Sequence, residues 1–284
     1  MPQDLLPIAV CSWSLRAGEP AEIAAEFARF GVGYTHLGVG QFLHRPAAEQ
    51  KELVAQLRAM PVKVCATMIG FAGENYSSLE TIHNTGGYLP DERFAERFEM
   101  TMRAAEFTHR LGVKLLTTHA GFIPDASDPQ RFATMIERLR KIADRLKALD
   151  IALCFETGQE TAETLAAFLQ ALGRDNIGVN FDPANMILYG KGDPVNSAIR
   201  LAAHIKQVHC KDARKTTPPP AYPAWAGQEV AAGQGDARVR DVIAELYRCG
   251  FRGPVAIECE SGNERGKWVA LAISEIREAF KMLG

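Results

Sequence analysis

Eight short β-rich runs, each followed by a helix-patterned stretch, constrain this chain more than any other feature. The runs are 7–13 (PIAVCSW), 33–39 (GYTHLGV), 62–69 (VKVCATMI) and 113–120 (VKLLTTHA). They continue at 151–157 (IALCFET), 177–183 (IGVNFDP), 204–212 (HIKQVHCKD) and 254–261 (PVAIECES). Their near-continuous apolar character predicts strands covered on both faces, as in a parallel sheet. The spacing predicts helices over 21–30, 47–60, 90–112, 129–148, 161–172, 194–203, 239–248 and 267–283. Gly31, Gly112, Gly173 and Gly250 stand as stops, and Ser127 or Asp128 as a start.

Eight βα units in one run predict an α/β fold, a single (β/α)8 TIM barrel spanning 1–284. The length suits it, since such barrels need about 250 residues. Two doubly wound sheets are the alternative, and no Pro/Gly/Ser-rich linker near the middle supports them. The irregular stretches 70–89 and 213–236 follow the third and seventh strands, on the face where barrels of this kind carry their working residues. The Pro218-Pro219-Pro220 tract reads as a stiff connection or as a lid.

Lys and Arg number 32 and Asp and Glu 34, so the net charge is 32 − 34 = −2, which argues against nucleic acid as a partner. No stretch approaches the roughly 18 apolar residues of a membrane span, and no secretory signal is visible near the start. The six cysteines form no CxxC pair and read as reduced, mostly buried thiols, which makes the cytoplasm the expected compartment.

The polar residues at the C-terminal ends of the strands carry the functional signal. Strand four ends in His119, strand five in Glu156 and strand six in Asp182, with Asn185 just beyond. Strand seven ends in His209, Lys211 and Asp212, and strand eight in Glu258 and Glu260. Each alone reads as a solvated or salt-bridged group. In a barrel these ends converge, and three carboxylates in one pocket repel unless a cation lies between them. Glu156, Asp182, His209 and Glu258 therefore read as ligands of a divalent ion. Their mixed O/N donor set suits Mn²⁺ first, and also Mg²⁺, Co²⁺ or Zn²⁺.

FET at 155–157, NFDPAN at 180–185, VHCKD at 208–212, GQG at 233–235 and AIECE at 256–260 resemble the xylose-isomerase-like barrels. Within them the chain resembles the sugar (phosphate) isomerases and epimerases, including the tagatose/psicose 3-epimerases and inosose-dehydratase-like proteins. The resemblance implies that Glu156, Asp182, His209 and Glu258 match the family's four metal ligands. It also implies that Glu156 and Glu258 match the glutamates that exchange protons with the substrate. The expected function is a divalent-metal-dependent sugar isomerase or epimerase acting on a ketose or keto-sugar through a metal-stabilised enediolate. A metal-dependent lyase or dehydratase, and a sugar-binding barrel without turnover, are the alternatives.

Two positions depart from the resemblance. Asn185 stands where the 3-epimerases have a substrate-contacting His, and Glu229 where they have an Arg. The expected substrate contacts are Asn185, His119, Lys211, Glu229 and Trp13, with Phe71 as a second apolar wall and Trp225 as a cover or a subunit contact. His119 is alternatively a support for Glu156. The apurinic endonucleases share the barrel but use a His-rich site, which seven His and the charge of −2 argue against. The expected partner is a small-molecule sugar, not nucleic acid or membrane, with a homo-oligomer possible by analogy.

Overall fold

The computed structural model describes residues 4–125 and 127–283. The eight strands close into one parallel barrel. β1 (Ile8–Cys11) pairs with β2 (Tyr34–Gly38), followed round the ring by β3 (Lys63–Met68), β4 (Leu115–Thr118), β5 (Ala152–Glu156), β6 (Ile177–Phe181) and β7 (Ile205–Cys210). The strand at Val255–Ile257 fills the gap between β7 and β1 and seals the ring. Every ring pairing is parallel, so all eight C-terminal ends open on one mouth. The apolar core lies between this ring and the surrounding helices, with Leu37, Leu116, Leu153, Val179 and Val208 fully buried.

The eight expected helices are present within a few residues. They are Pro20–Ala28, Ala47–Ala59, Asp91–Leu111, Pro129–Lys147, Ala162–Leu172, Pro194–Leu201, Val239–Arg248 and Arg265–Lys281. Local chemistry sets several ends. Asp128, Thr161 and Asp193 each accept a backbone N–H of the first turn. Gly112 and Gly173 take the left-handed conformation that closes a helix.

Four features correct the sequence reading. The strands are shorter than the apolar runs, so Asp182 and Glu258 lie one residue past their strands. The stretch 70–89 is not wholly irregular: Leu79–Thr85 is a helix whose cap is Ser78, which accepts from Thr81 N. The stretch 213–236 carries an antiparallel hairpin, β8 (Asp212–Lys215) with β9 (Gly227–Val230), so the strand that follows at Val255–Ile257 is β10. A further one-and-a-half-turn helix, Pro183–Leu188, follows Asp182. Each is too short to leave a periodic signal.

The two long arms meet beside the mouth, where Leu79 N donates to Pro223 O at 3.1 Å. Leu79, Ile82 and Tyr189 pack there with Phe122, Leu188 and Trp225. The first arm is also clamped to the β4 loop. Gly87 has φ +65°, and a Cβ there would stand 1.9 Å from Ala120 O. Gly87→Ala is therefore expected to destabilise the fold by about 2 kcal/mol or more, read as a lowered Tm. A Tm equal to the wild type would contradict this packing.

Candidate metal centre and substrate pocket

The barrel brings Glu156, Asp182, His209 and Glu258 together. One ligand atom from each lies within 4.8 Å of all the others, and all four residues are buried. Glu156 closes β5 and His209 sits near the end of β7. Asp182 divides its carboxylate between two tasks. Oδ1 caps the helix at Pro183–Leu188, accepting from Ala184 N (2.8 Å) and Asn185 N (3.1 Å), while Oδ2 has no hydrogen-bond partner among the described residues. Glu258 N donates to Cys210 O at 3.2 Å, which holds the turn after β10 against β7.

The imidazole faces the carboxylates through one nitrogen. His209 Nδ1 lies 3.3 Å from Glu258 Oε2, 3.4 Å from Glu156 Oε1 and 4.0 Å from Asp182 Oδ2, and it too lacks a hydrogen-bond partner. Two unpartnered buried donor atoms, aimed among three carboxylates, fit a divalent cation, which would supply the partner both lack. The donor set is hard oxygen plus one imidazole, as the sequence suggested.

Charge balance in the ring rests partly on Lys211, only 3% exposed. Its Nζ donates to Glu258 Oε2 at 2.9 Å and to Glu260, and lies 3.8 Å from Asp182 Oδ2. Burial opposes ionisation of Glu258, but Lys211 and His209 outweigh it and hold this carboxyl well below the usual range. Burial also raises Asp182, and the nearby Glu258 and Glu156 leave it well above the usual range despite Lys211. For His209, burial favours the neutral ring, yet the facing glutamates raise its affinity for a proton. One cation shared among three carboxylates thus leaves the ring short of positive charge.

Above the ring opens a cavity of about 710 Å³. Its lining contains every expected substrate contact: Trp13, His119, Asn185, Lys211 and Glu229, together with Phe71 and Trp225. Trp13 Nε1 donates to Glu258 Oε1 at 2.8 Å, and Asn185 Nδ2 donates to Glu156 Oε1 at 3.0 Å. His119 Nε2 stands 3.7 Å from Glu156 Oε2. Glu229 lines the cavity but has both oxygens engaged: Oε1 accepts from Glu260 N (2.9 Å), and Oε2 from Ser261 N (2.9 Å) and Ser261 Oγ (2.8 Å). It ties the hairpin to the turn that carries Glu258. Asp212 supports the same hairpin, its carboxylate accepting from Ala213, Gly233, Gly235 and Ala237 N–H. The GQG turn is thereby a wrap around one buried carboxylate. Cys210 and Cys259 pack in the outer core, away from the ring.

Sequence reasoning missed a polar layer under the ring, formed by Cys11, His36, Thr117, Asn180 and Gln207. Strand alternation held the clue, because Asn180 and Gln207 each stand two residues before a ring member, on the same strand face. It also missed Tyr76 and Tyr189 in the cavity wall.

A closed parallel barrel with one imidazole and three carboxylates at the ends of β5, β6, β7 and β10 defines a (β/α)8 protein with a candidate metal centre at its C-terminal mouth. The chain belongs to the xylose isomerase-like TIM barrel family, whose model matches residues 22–281. Among solved structures it is similar to a xylose isomerase domain protein from Planctomyces limnophilus (29% identity, 99% of each chain covered, TM-score 0.86). It also resembles a xylose isomerase-like TIM barrel protein from Mycobacterium smegmatis in complex with magnesium (14% identity, 98% of each chain, TM-score 0.75). A third is an L-ribulose 3-epimerase (16% identity, 98% of this chain and 97% of that one, TM-score 0.70). No curated protein matches the chain. No helix among the described residues is long and apolar enough to cross a membrane.

The ring makes a direct prediction. Mn²⁺ or Mg²⁺ at a hundred times its dissociation constant should stabilise the fold by about 2.7 kcal/mol, raising Tm by roughly 5 °C. Asp182→Asn should lose most of that rise. A wild-type Tm indifferent to divalent ions would remove the metal assignment.

Proposed function

We propose that the protein is a divalent-metal-dependent sugar isomerase or epimerase, acting on a ketose or keto-sugar with Glu156 and Glu258 as its acid/base pair. The observation that carries this reading is the four-donor ring itself. Two glutamates, from β5 and from the turn after β10, enter it from different sides of the barrel, beside the unpartnered His209 Nδ1 and Asp182 Oδ2. Glu156, Asp182, His209 and Glu258 hold the ion; Mn²⁺ is our assignment, and Mg²⁺, Co²⁺ or Zn²⁺ suit the same donors. When bound, it supplies Lewis-acid stabilisation to a substrate oxygen on which negative charge gathers.

The protein's own residues do the rest. One glutamate takes the proton from the carbon beside the carbonyl and the other returns one, and their roles exchange with the direction of reaction. Return to the opposite face of the same carbon gives an epimer, and return to its neighbour an aldose–ketose pair. Lys211 and Trp13 orient Glu258, and Asn185 orients Glu156. Trp13 and Phe71 offer flat apolar walls to the C–H faces of a sugar, while His119, Asn185 and Lys211 face its hydroxyls. The magnesium in the Mycobacterium smegmatis structure and the epimerase among the neighbours support the same reading. All six cysteines are free, in keeping with our assignment to the cytoplasm.

The cavity favours one second reading. A six-carbon sugar fills on the order of 200 Å³ at protein-like packing, far less than about 710 Å³. The spare room suits a lyase that expels a substituent from a larger keto-glycoside, by the same proton abstraction.

Incubation with keto-sugars and keto-glycosides in D₂O separates the readings. An isomerase or epimerase places deuterium on carbon, gaining about one mass unit with the skeleton and substituents retained, a lyase loses water or an aglycone, and a sugar-binding barrel does neither. Glu156→Gln and Glu258→Gln should each lower turnover by ~10²–10⁴ and reduce bound metal. Unchanged turnover and metal content in both variants would overturn the proposal.

A further inference from the structure

We propose that His36 is a positioning residue: it accepts the proton on His209 Nε2 and so fixes the tautomer in which His209 Nδ1 offers its lone pair to the ring. The proposal rests on the metal reading above. A neutral imidazole carries one N–H, so a ring that ligates through Nδ1 must carry its hydrogen on Nε2. That hydrogen needs a buried acceptor, because His209 is fully buried.

Three groups approach His209 Nε2. His36 Nδ1 lies at 3.1 Å, the Asn180 amide nitrogen at 3.1 Å and Cys11 Sγ at 3.8 Å. The amide nitrogen has no lone pair to offer, and the thiol is distant and a weak acceptor. His36 is the acceptor, provided its own hydrogen sits on Nε2. The layer below meets that condition. His36 Nε2 is 2.9 Å from Thr117 Oγ1, and the Thr117 hydroxyl points to Thr67 O (3.2 Å) or Met68 Sδ (2.7 Å). Both of those atoms only accept. With its hydrogen on either of them, Thr117 Oγ1 can turn a lone pair to His36 Nε2–H. Gln207 Nε2, 2.8 Å from the same His36 Nδ1, can donate only to a bare nitrogen and would share its single lone pair with His209, while Gln207 Oε1 has no partner. The chain has one polarity: His209 to His36, His36 to Thr117, Thr117 to an acceptor-only atom. It crosses the barrel interior from β7 to β2 to β4.

Asn180 is the competing acceptor. Its Oδ1 has no partner, and rotating the amide would turn that oxygen toward His209. The test therefore separates the two. Mn²⁺ is titrated into wild type, His36→Leu and His36→Asn, with the fold of each checked by circular dichroism. Wild type should bind one ion per chain. His36→Leu should bind 10–100-fold more weakly. His36→Asn, whose side-chain oxygen can stand near the lost Nδ1, should recover most of the affinity. Independently of any variant, ¹⁵N NMR of the Mg²⁺-loaded wild type should show the His209 hydrogen on Nε2, hydrogen-bonded to His36. Affinity within twofold of wild type in a folded His36→Leu, or a His209 Nε2 hydrogen bonded to Asn180 Oδ1 and not to His36, would overturn the inference while leaving the metal reading intact. A wild type that takes up no divalent ion would overturn both.

Discussion

Like charge in a dry place is the constraint from which the rest of this structure follows. Glu156, Asp182 and Glu258 are carried by different strands and yet end in one buried ring. Three carboxylates gathered out of water repel strongly and cost several kcal/mol each in lost hydration. The chain offsets this in layers. Lys211 sits among the anions from one side. Trp13 and Asn185 donate to the two glutamates, and the first turn after Asp182 gives two N–H groups to its carboxylate. What these leave unsatisfied, His209 Nδ1 and Asp182 Oδ2, is what a divalent cation would complete.

The barrel was legible because its signals are long and repeated. Eight apolar runs alternating with eight periodic helices leave few topologies open, and each glycine or capping residue agrees with the pattern around it. The ring was legible for a related reason. A carboxylate or imidazole at the same end of four consecutive apolar strands is hard to explain by packing. Pieces that depend on tertiary contact were not legible. The hairpin of β8 and β9 encloses a polar, proline-rich loop and is held by Asp212 and Glu229, which reach backbone groups distant in sequence. Glu229 shows the difference most clearly. From sequence it is a charge replaced near a substrate; in the fold both its oxygens bind the turn that carries Glu258.

The layer beneath the ring was missed for another reason. His36, Asn180 and Gln207 occupy inward-facing positions where a barrel is normally filled with branched apolar side chains. Polar side chains there are costly unless they bond to one another, which they do, and sequence alone does not display that mutual satisfaction. Buried polar networks of this kind give a core one preferred arrangement where an oily one tolerates several. The ring above is built on such a floor.

The seam of the barrel has a consequence for the order of assembly. β1 is closed against β10, and Trp13 beside β1 reaches Glu258 beyond β10. A ribosome adding roughly 5–20 residues per second makes Trp13 first and Glu258 only after β2 to β9 have been made. Until then the first strand lacks its neighbour and the ring lacks its fourth member. Capture of an ion there would therefore be a late event, open only to a chain that has already drawn β1 and β10 together, and a tightly held metal would act as a seal on correctly finished molecules.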